Sequence, residues 1–391
     1  MFDFEPTVDE RAVADRARKF AMEVLEPQAR AADAGRRFDR EVVRALGREG
    51  LLGGPIAKNL GGEGLGHRAQ ALVYEELGRV DTSVRGFVAV QTGLVASCIQ
   101  DWGSAQQKST WLPDLCQAQV IGCYGLTEPG AGSDVASMTS RARKDGDDWI
   151  IEGQKVWITN GSVADLALLF VQADPEAKHR GITCFLVPTK TAGFERERMT
   201  APELGHRAAD HARFRFQGLR VPDAARMGEV GQGFKIAMAA LDHGRLGVAA
   251  GAVGLHQACL DASLDFVRSR RQFGSRLGDF QMIQRTITDM HCSLEAARLL
   301  TWQAATMKDR GEKATLAVSR AKLFATEAAA EAAHQAVLLH GGRGYNNDYP
   351  VERFFRDIVG LEIYEGSSNI QRIIIARELI GKDDGAELHD L

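Results

Sequence analysis

The period of the apolar residues changes twice along the chain, and this double change limits what it can fold into more than any other feature. Up to about Trp111 and again after Phe234, apolar residues recur at threes and fours, whereas between Ile121 and about Gly231 they alternate or run in short clusters between Gly and Pro. The first pattern describes helices with one buried stripe and the second describes strands. The sequence therefore predicts a mainly α protein with an inserted β domain: an N-terminal helical domain at 1–120, a middle antiparallel β domain at 121–233, and a C-terminal four-helix bundle domain at 234–391 with a polar tail from Asp383. A chain of 391 residues exceeds one ordinary core, so such a division is expected. A β domain set between two helical ones leaves clefts at the junctions, where ligand sites tend to lie.

Within the first part, Thr7 and Glu10 have capping-box spacing, and Val13, Ala17, Phe20 and Val24 mark a helix that Pro27 is expected to end. A second helix runs through Val42, Val43 and Leu46 to near Gly50, with others through Leu72 to Leu77, Val88 to Ile99 and from Ser104 past Trp111. The Gly61-Gly62-Glu63-Gly64-Leu65-Gly66 loop is not a dinucleotide fingerprint, because no strand precedes it and the spacing is wrong. Strands are expected at 149–151, 156–159, 166–171, 182–187 and 214–216. In the last part, Ile283, Ile287, Met290, Leu294 and Ala297 form one apolar stripe, and the Ala-rich run from Leu316 to Leu339 suits close packing in a bundle.

The balance of charge excludes some functions. A net charge of −4 and a pI near 6.2 argue against nucleic acid as the main partner, which would require a clear Lys and Arg excess. The six cysteines, Cys98, Cys116, Cys123, Cys184, Cys259 and Cys292, form no C-x-x-C pair and no zinc-ligand spacing, so no metal is expected. They read as buried, reduced, small apolar residues. With no basic and apolar leader pattern at Met1 to Pro6 and no run of about 18 apolar residues, the expectation is a cytoplasmic or organelle-matrix protein without membrane insertion.

Three stretches carry chemistry. Ile363-Tyr364-Glu365-Gly366-Ser367-Ser368-Asn369 places one carboxylate at a turn before a helix, beside hydroxyls and a carboxamide that could grip a polar cofactor. Tyr124-Gly125-Leu126-Thr127-Glu128-Pro129-Gly130-Ala131-Gly132-Ser133-Asp134 joins a strand to a glycine-rich turn with exposed N–H groups and hydroxyls. Val156-Trp157-Ile158-Thr159 puts an aromatic and a hydroxyl on one face of a strand; the Trp is either core or a cover for a flat heterocycle.

Together these stretches resemble the acyl-CoA dehydrogenase family, over nearly the whole length to Ile380. The resemblance implies an α–β–α flavoprotein that binds FAD across a subunit interface, commonly as a homotetramer, and passes electrons to an electron-transfer flavoprotein. By the same resemblance Thr127 and Ser133 contact the flavin and line the acyl-CoA path, and Trp157 and Thr159 lie against the isoalloxazine ring. Arg270 and Phe273 match residues that reach a neighbouring subunit's FAD, with Gln281 at the family spacing; an Arg there offers a fork of donors to the pyrophosphate. Gly341 and Gly342 match a turn that lets backbone approach the cofactor, although Leu338 stands where the family usually has Gln. Ser367 and Asn369 match residues holding the FAD diphosphate, Gly366 lies by the thioester, and Asp242 and Arg245 match residues near the CoA nucleotide.

The resemblance also gives Glu365 a role: it takes the α-proton of a thioester while hydride leaves the β-carbon. A minority of the family draws its base from the position before the Arg matching Arg245, and here that position is Gly244, so Glu365 is the matching carboxylate. Arg85, in Asp81-Thr82-Ser83-Val84-Arg85-Gly86, resembles the glutaryl-CoA dehydrogenase branch, where an Arg pairs with a distal carboxylate; the alternative is a structural Arg. The C-terminal signature instead resembles short- and medium-chain enzymes. Other readings of the same scaffold are an acyl-carrier-protein-linked dehydrogenase, an acyl-CoA oxidase, and a non-catalytic, family-like binding or DNA-associated protein.

Overall fold

The structure, a computed structural model, describes residues 5–381; the predicted polar tail lies outside them. The capping box forms as the spacing requires: Thr7 Oγ1 accepts from Glu10 N–H and the Glu10 carboxylate accepts from Thr7 N–H, starting α1 (Val8–Phe20). Pro27 does not end the helix. A π-helical turn at Ala21–Leu25 shifts the backbone register, and Pro27 enters the first turn of α2 (Glu26–Gly35), where its missing N–H costs nothing. The helix stops at Arg36, left-handed at φ 49°. Then follow α3 (Arg40–Arg48), α4 (Gly66–Val80), α5 (Thr82–Val88), α6 (Ser97–Trp102) and α7 (Ala105–Cys116), with Ser104 and Gln107 closing a second capping box. A π-helical stretch, Ala89–Ala96, joins α5 to α6. The continuous helix Thr82–Trp102 is long and apolar enough to span a membrane, but 89% of its apolar window is buried inside the protein, which makes it a core helix.

The middle segment is one eight-stranded sheet of β1 (Gly122–Gly125), β2 (Arg141–Asp145), β3 (Asp148–Thr159), β4 (Leu166–Gln172), β5 (Ile182–Pro188), β6 (Phe194–Arg198), β7 (His211–Pro222) and β8 (Arg226–Met227). The order is β6-β7-β3-β2-β4-β5-β8, with β1 beside β4. Most pairings are antiparallel; β1 runs parallel to β4, and β2 meets β4 in one parallel pair. Strand β4 is buried along its whole length, and β7 alternates.

The last part holds α8 (Gly233–Ser269), a two-stranded hairpin of β9 (Arg271–Gln272) and β10 (Ser275–Arg276), then α9 (Gln281–Asp309), α10 (Thr315–His340), α11 (Val351–Ile363) and α12 (Ser368–Ile380). Glycines allow α4 and α8 to approach closely: a Cβ at Gly254 would lie 2.0 Å from Glu75 O, and one at Gly78 would lie 2.7 Å from Gly251 O. This contact brings the start of α5 against the middle of α8. Alanines at 321, 325, 329, 332, 333 and 336 seat α10 in the bundle. Five cysteines are buried as expected; Cys292, on the outer face of α9, is exposed.

The end of α2 ties all three parts together. Arg36 donates to Thr200 O (2.9 Å), Ala201 O (2.8 Å) and Glu203 (2.6 Å). Arg356 on α11 pairs with Asp33 (2.7 Å) and Glu352 (2.7 Å) and donates to Leu204 O (3.2 Å).

Candidate active site

The turn between α11 and α12 holds two consecutive left-handed residues, Glu365 at φ 57° and Gly366 at φ 89°. Glycine adopts this conformation freely, but a glutamate does so only where its surroundings enforce it. Three buried donors supply that enforcement. Arg245 Nε on α8 donates to Glu365 O (3.2 Å), Gln371 Nε2 on α12 donates to Glu365 O (3.3 Å) and Gly366 O (2.9 Å), and Lys322 Nζ on α10 donates to Gly366 O (2.9 Å). Arg245 is itself held by Asp242, 2.9 Å away, which accepts in turn from Thr315.

The Glu365 carboxylate points at Gly244. A Cβ there would lie 1.8 Å from Oε2, so the carboxylate occupies the space that any side chain at position 244 would need. Oε2 is out of solvent and has no hydrogen-bond partner among the described residues. Burial pushes the Glu365 pKa up to about 7, against the pull of Arg85, Arg245 and Lys322. The result is a carboxyl group that changes protonation near neutral pH and directs an unsatisfied oxygen inward, as a general base needs.

Arg85 is fully buried, and its guanidinium fills the space above Gly251, where a Cβ would lie 2.6 Å from Nε. Its Nη2 donates to the Tyr364 hydroxyl, one residue before Glu365, and its Nε has no partner among the described residues. Tyr364 also meets His206 Nε2 at 3.5 Å, and the His206 N–H donates to Asp357 at 2.7 Å. Burial lowers the His206 pKa to about 4, leaving the ring neutral.

The residues assigned to the cofactor occupy two further places. Thr127 lies just beyond β1, where its carbonyl accepts from Val156 N–H at 2.9 Å, so the glycine-rich turn sits beside Trp157 and Thr159 on β3. Trp157 is not core: it sits at a β-bulge with φ 60° and is 57% exposed, and Thr159 is half-buried. The turn carrying the exposed Ser133 is locked from within, because the buried Glu128 carboxylate accepts from Thr139 N–H (2.7 Å), Ser140 N–H (3.0 Å) and Lys155 Nζ (2.8 Å). Arg270 ends α8, Phe273 sits at the hairpin turn and Gln281 starts α9; Phe273 is 95% exposed at φ 51°. Gly341 and Gly342 are exposed with nothing within 4 Å of their Cβ positions, Ser367 stands at the N-cap position of α12 without a side-chain capping bond, and Asn369 is exposed beside it.

Several of these features suit a dinucleotide flavin. The start of α12 offers free N–H groups and a buried Ser368 hydroxyl without a partner, which favours a phosphate. The exposed indole of Trp157 offers a flat apolar face. Lys322, Gln371 and the Tyr364–His206 pair escape sequence reading. The only signal for Lys322 is its charge within an alanine-rich stripe, and Gln371 sits on a helix of ordinary polarity.

Models of the acyl-CoA dehydrogenase N-terminal, middle and C-terminal domains match residues 7–119, 123–219 and 231–380. The mouse (Mus musculus) mitochondrial short-chain specific acyl-CoA dehydrogenase is 40% identical over 363 residues, covering 93% of this chain and 88% of that protein. Butyryl-CoA dehydrogenase from Megasphaera elsdenii superposes with a TM-score of 0.95 at 33% identity, covering 97% of this chain and 100% of the other. A glutaryl-CoA dehydrogenase from Mycobacterium smegmatis in complex with FADH2 gives a TM-score of 0.92 at 32% identity, covering 97% of each chain. With all three domain models matched in order and the carboxylate turn intact, the chain belongs to the acyl-CoA dehydrogenase family.

Proposed function

We propose that the protein catalyses α,β-dehydrogenation of a short acyl-CoA thioester, with Glu365 as the base. The observation that carries this reading is the orphaned, buried Glu365 Oε2 on a turn fixed by Arg245, Gln371 and Lys322. FAD, when bound, supplies the acceptor for the hydride that leaves the β-carbon. Thr127, Ser133, Trp157 and Thr159 would hold the flavin ring, and Ser367, Asn369, Gly341 and Gly342 would hold its diphosphate side. Arg270, Phe273 and Gln281 would help hold the cofactor of a neighbouring copy in a homotetramer. Glu365 Oε2 takes the α-proton, and the Glu365 N–H donates to the thioester oxygen as it gains enolate character. An electron-transfer flavoprotein would be the electron acceptor.

Arg85 favours a substrate whose far end is carboxylated. A buried guanidinium with one donor unpaired and no contact ion pair among the described residues has hydrogen-bonding capacity left over, and an acyl carboxylate would fill it. Anaerobic bleaching of the yellow protein with butyryl-, octanoyl- and glutaryl-CoA tests both parts. Glutaryl-CoA is expected to bleach fastest, and Arg85→Ala is expected to reverse its advantage over butyryl-CoA by at least about tenfold. An unchanged preference in Arg85→Ala removes the carboxylate reading, and colourless protein that cannot take up FAD removes the enzyme reading.

A further inference from the structure

Lys322 lies in the alanine-rich stripe of α10 and is fully buried. An ammonium group in such a place needs compensation, and among the described residues no carboxylate approaches it within ion-pair distance. Its Nζ instead donates to two carbonyls, Glu362 O at 3.3 Å and Gly366 O at 2.9 Å. Glu362 belongs to the last turn of α11, whose free carbonyls form the negative end of the helix dipole. The two acceptors bracket Glu365 along the chain, so one side chain grips the base's turn from both sides. Arg245 also reaches this turn, but Asp242 offsets its charge.

We infer that Lys322 is a positioning residue for the dehydrogenation: it clamps the Glu362–Gly366 turn, and its ammonium charge sets the pH at which Glu365 ionises. The inference rests on Glu365 being the base. The charged and titratable groups facing this pair come from several of the packed elements. Around Lys322 they are Glu365, Arg245 of α8, Glu362 of α11 and Glu327 of its own helix. Around Glu365 they are Arg85 of α5, Arg245 and Lys322, with the hydroxyls of Tyr74, Tyr124 and Tyr364 also near. Burial lowers Lys322 to about 8, which leaves it charged when Glu365, raised by burial to about 7, loses its proton. An adjacent cation favours the carboxylate, so removing the charge must raise the Glu365 pKa further.

The test follows the Glu365 carboxyl infrared band against pH in the flavin-loaded protein, with the band assigned by its loss in Glu365→Gln, and measures kcat/KM over the same range. Lys322→Met and Lys322→Gln are expected to move the ionisation and the acid limb of kcat/KM upward together by about one pH unit. Lys322→Arg is expected to bring both back. Lys322→Gln keeps a hydrogen-bond donor and decides the matter if Lys322→Met does not fold. An unmoved ionisation in the neutral variants overturns the proposal. The infrared result does not depend on turnover, whereas turnover retained in Glu365→Gln would remove the base assignment itself.

Discussion

Glu365 combines two properties that usually oppose each other: its carboxylate Oε2 lies out of solvent, and three cations surround it without touching its carboxylate. Direct pairing would hold the group ionised and weaken it as a base. Burial without pairing keeps it near neutrality, and the cations limit the rise. Glu365→Gln should therefore keep FAD but lose roughly two or more orders of magnitude in kcat, measured by anaerobic reductive half-reaction. In the native protein kcat/KM should fall as pH drops through about 7, because the protonated acid cannot accept a proton. The same shift predicts a cost in stability. With a folded pKa above the ordinary 4.5, the folded state binds the extra proton, so stability is lost as pH rises from about 4.5 to about 7. At pH 8 Glu365→Gln should therefore be more stable than the native protein by up to about 3 kcal/mol in denaturant titrations, and the gain should vanish at pH 4.

Helices α8, α10 and α11 meet at the base, and each contributes what its local sequence allows. Gly244 on α8 leaves room for the carboxylate. Gly244→Ala, with a Cβ 1.8 Å from Oε2, should displace the carboxylate and lower kcat by about tenfold or more while the protein still folds and binds FAD; unchanged kcat would show that the turn has slack. Much of this architecture was legible in the chain, because capping boxes at Thr7 and Ser104 and the two changes of apolar period are local signals. Pro27 misled because the π-helical turn before it is set by packing and has no residue signature. Glu365 and Arg85 could be named from their motifs, but their contact through Tyr364 depends on the glycine-mediated approach of α4 to α8. Lys322 and Gln371 were invisible because their acceptors are backbone carbonyls about 40 and 5 residues away, which no spacing rule encodes.

Across the molecule, Arg36 and Arg356 join the end of α2 to the loop after β6 and to α11. Arg356 is largely buried between Asp33 and Glu352, so Arg356→Met would leave two carboxylates without their counter-charge. Roughly 3 kcal/mol should be lost. Calorimetry should show the native protein melting in one transition that carries flavin release with it, and the variant melting earlier; separate transitions in the native protein would show that the joints do not couple the domains. Those joints also bear on how a substrate gets in. A protein whose three parts are tied at one junction by two arginines has little hinge to open there. The give required for a long thioester to thread inward then falls to individual side chains standing in water, such as Trp157 at its bulge, and traffic through the site becomes a matter of rotamers rather than of moving domains.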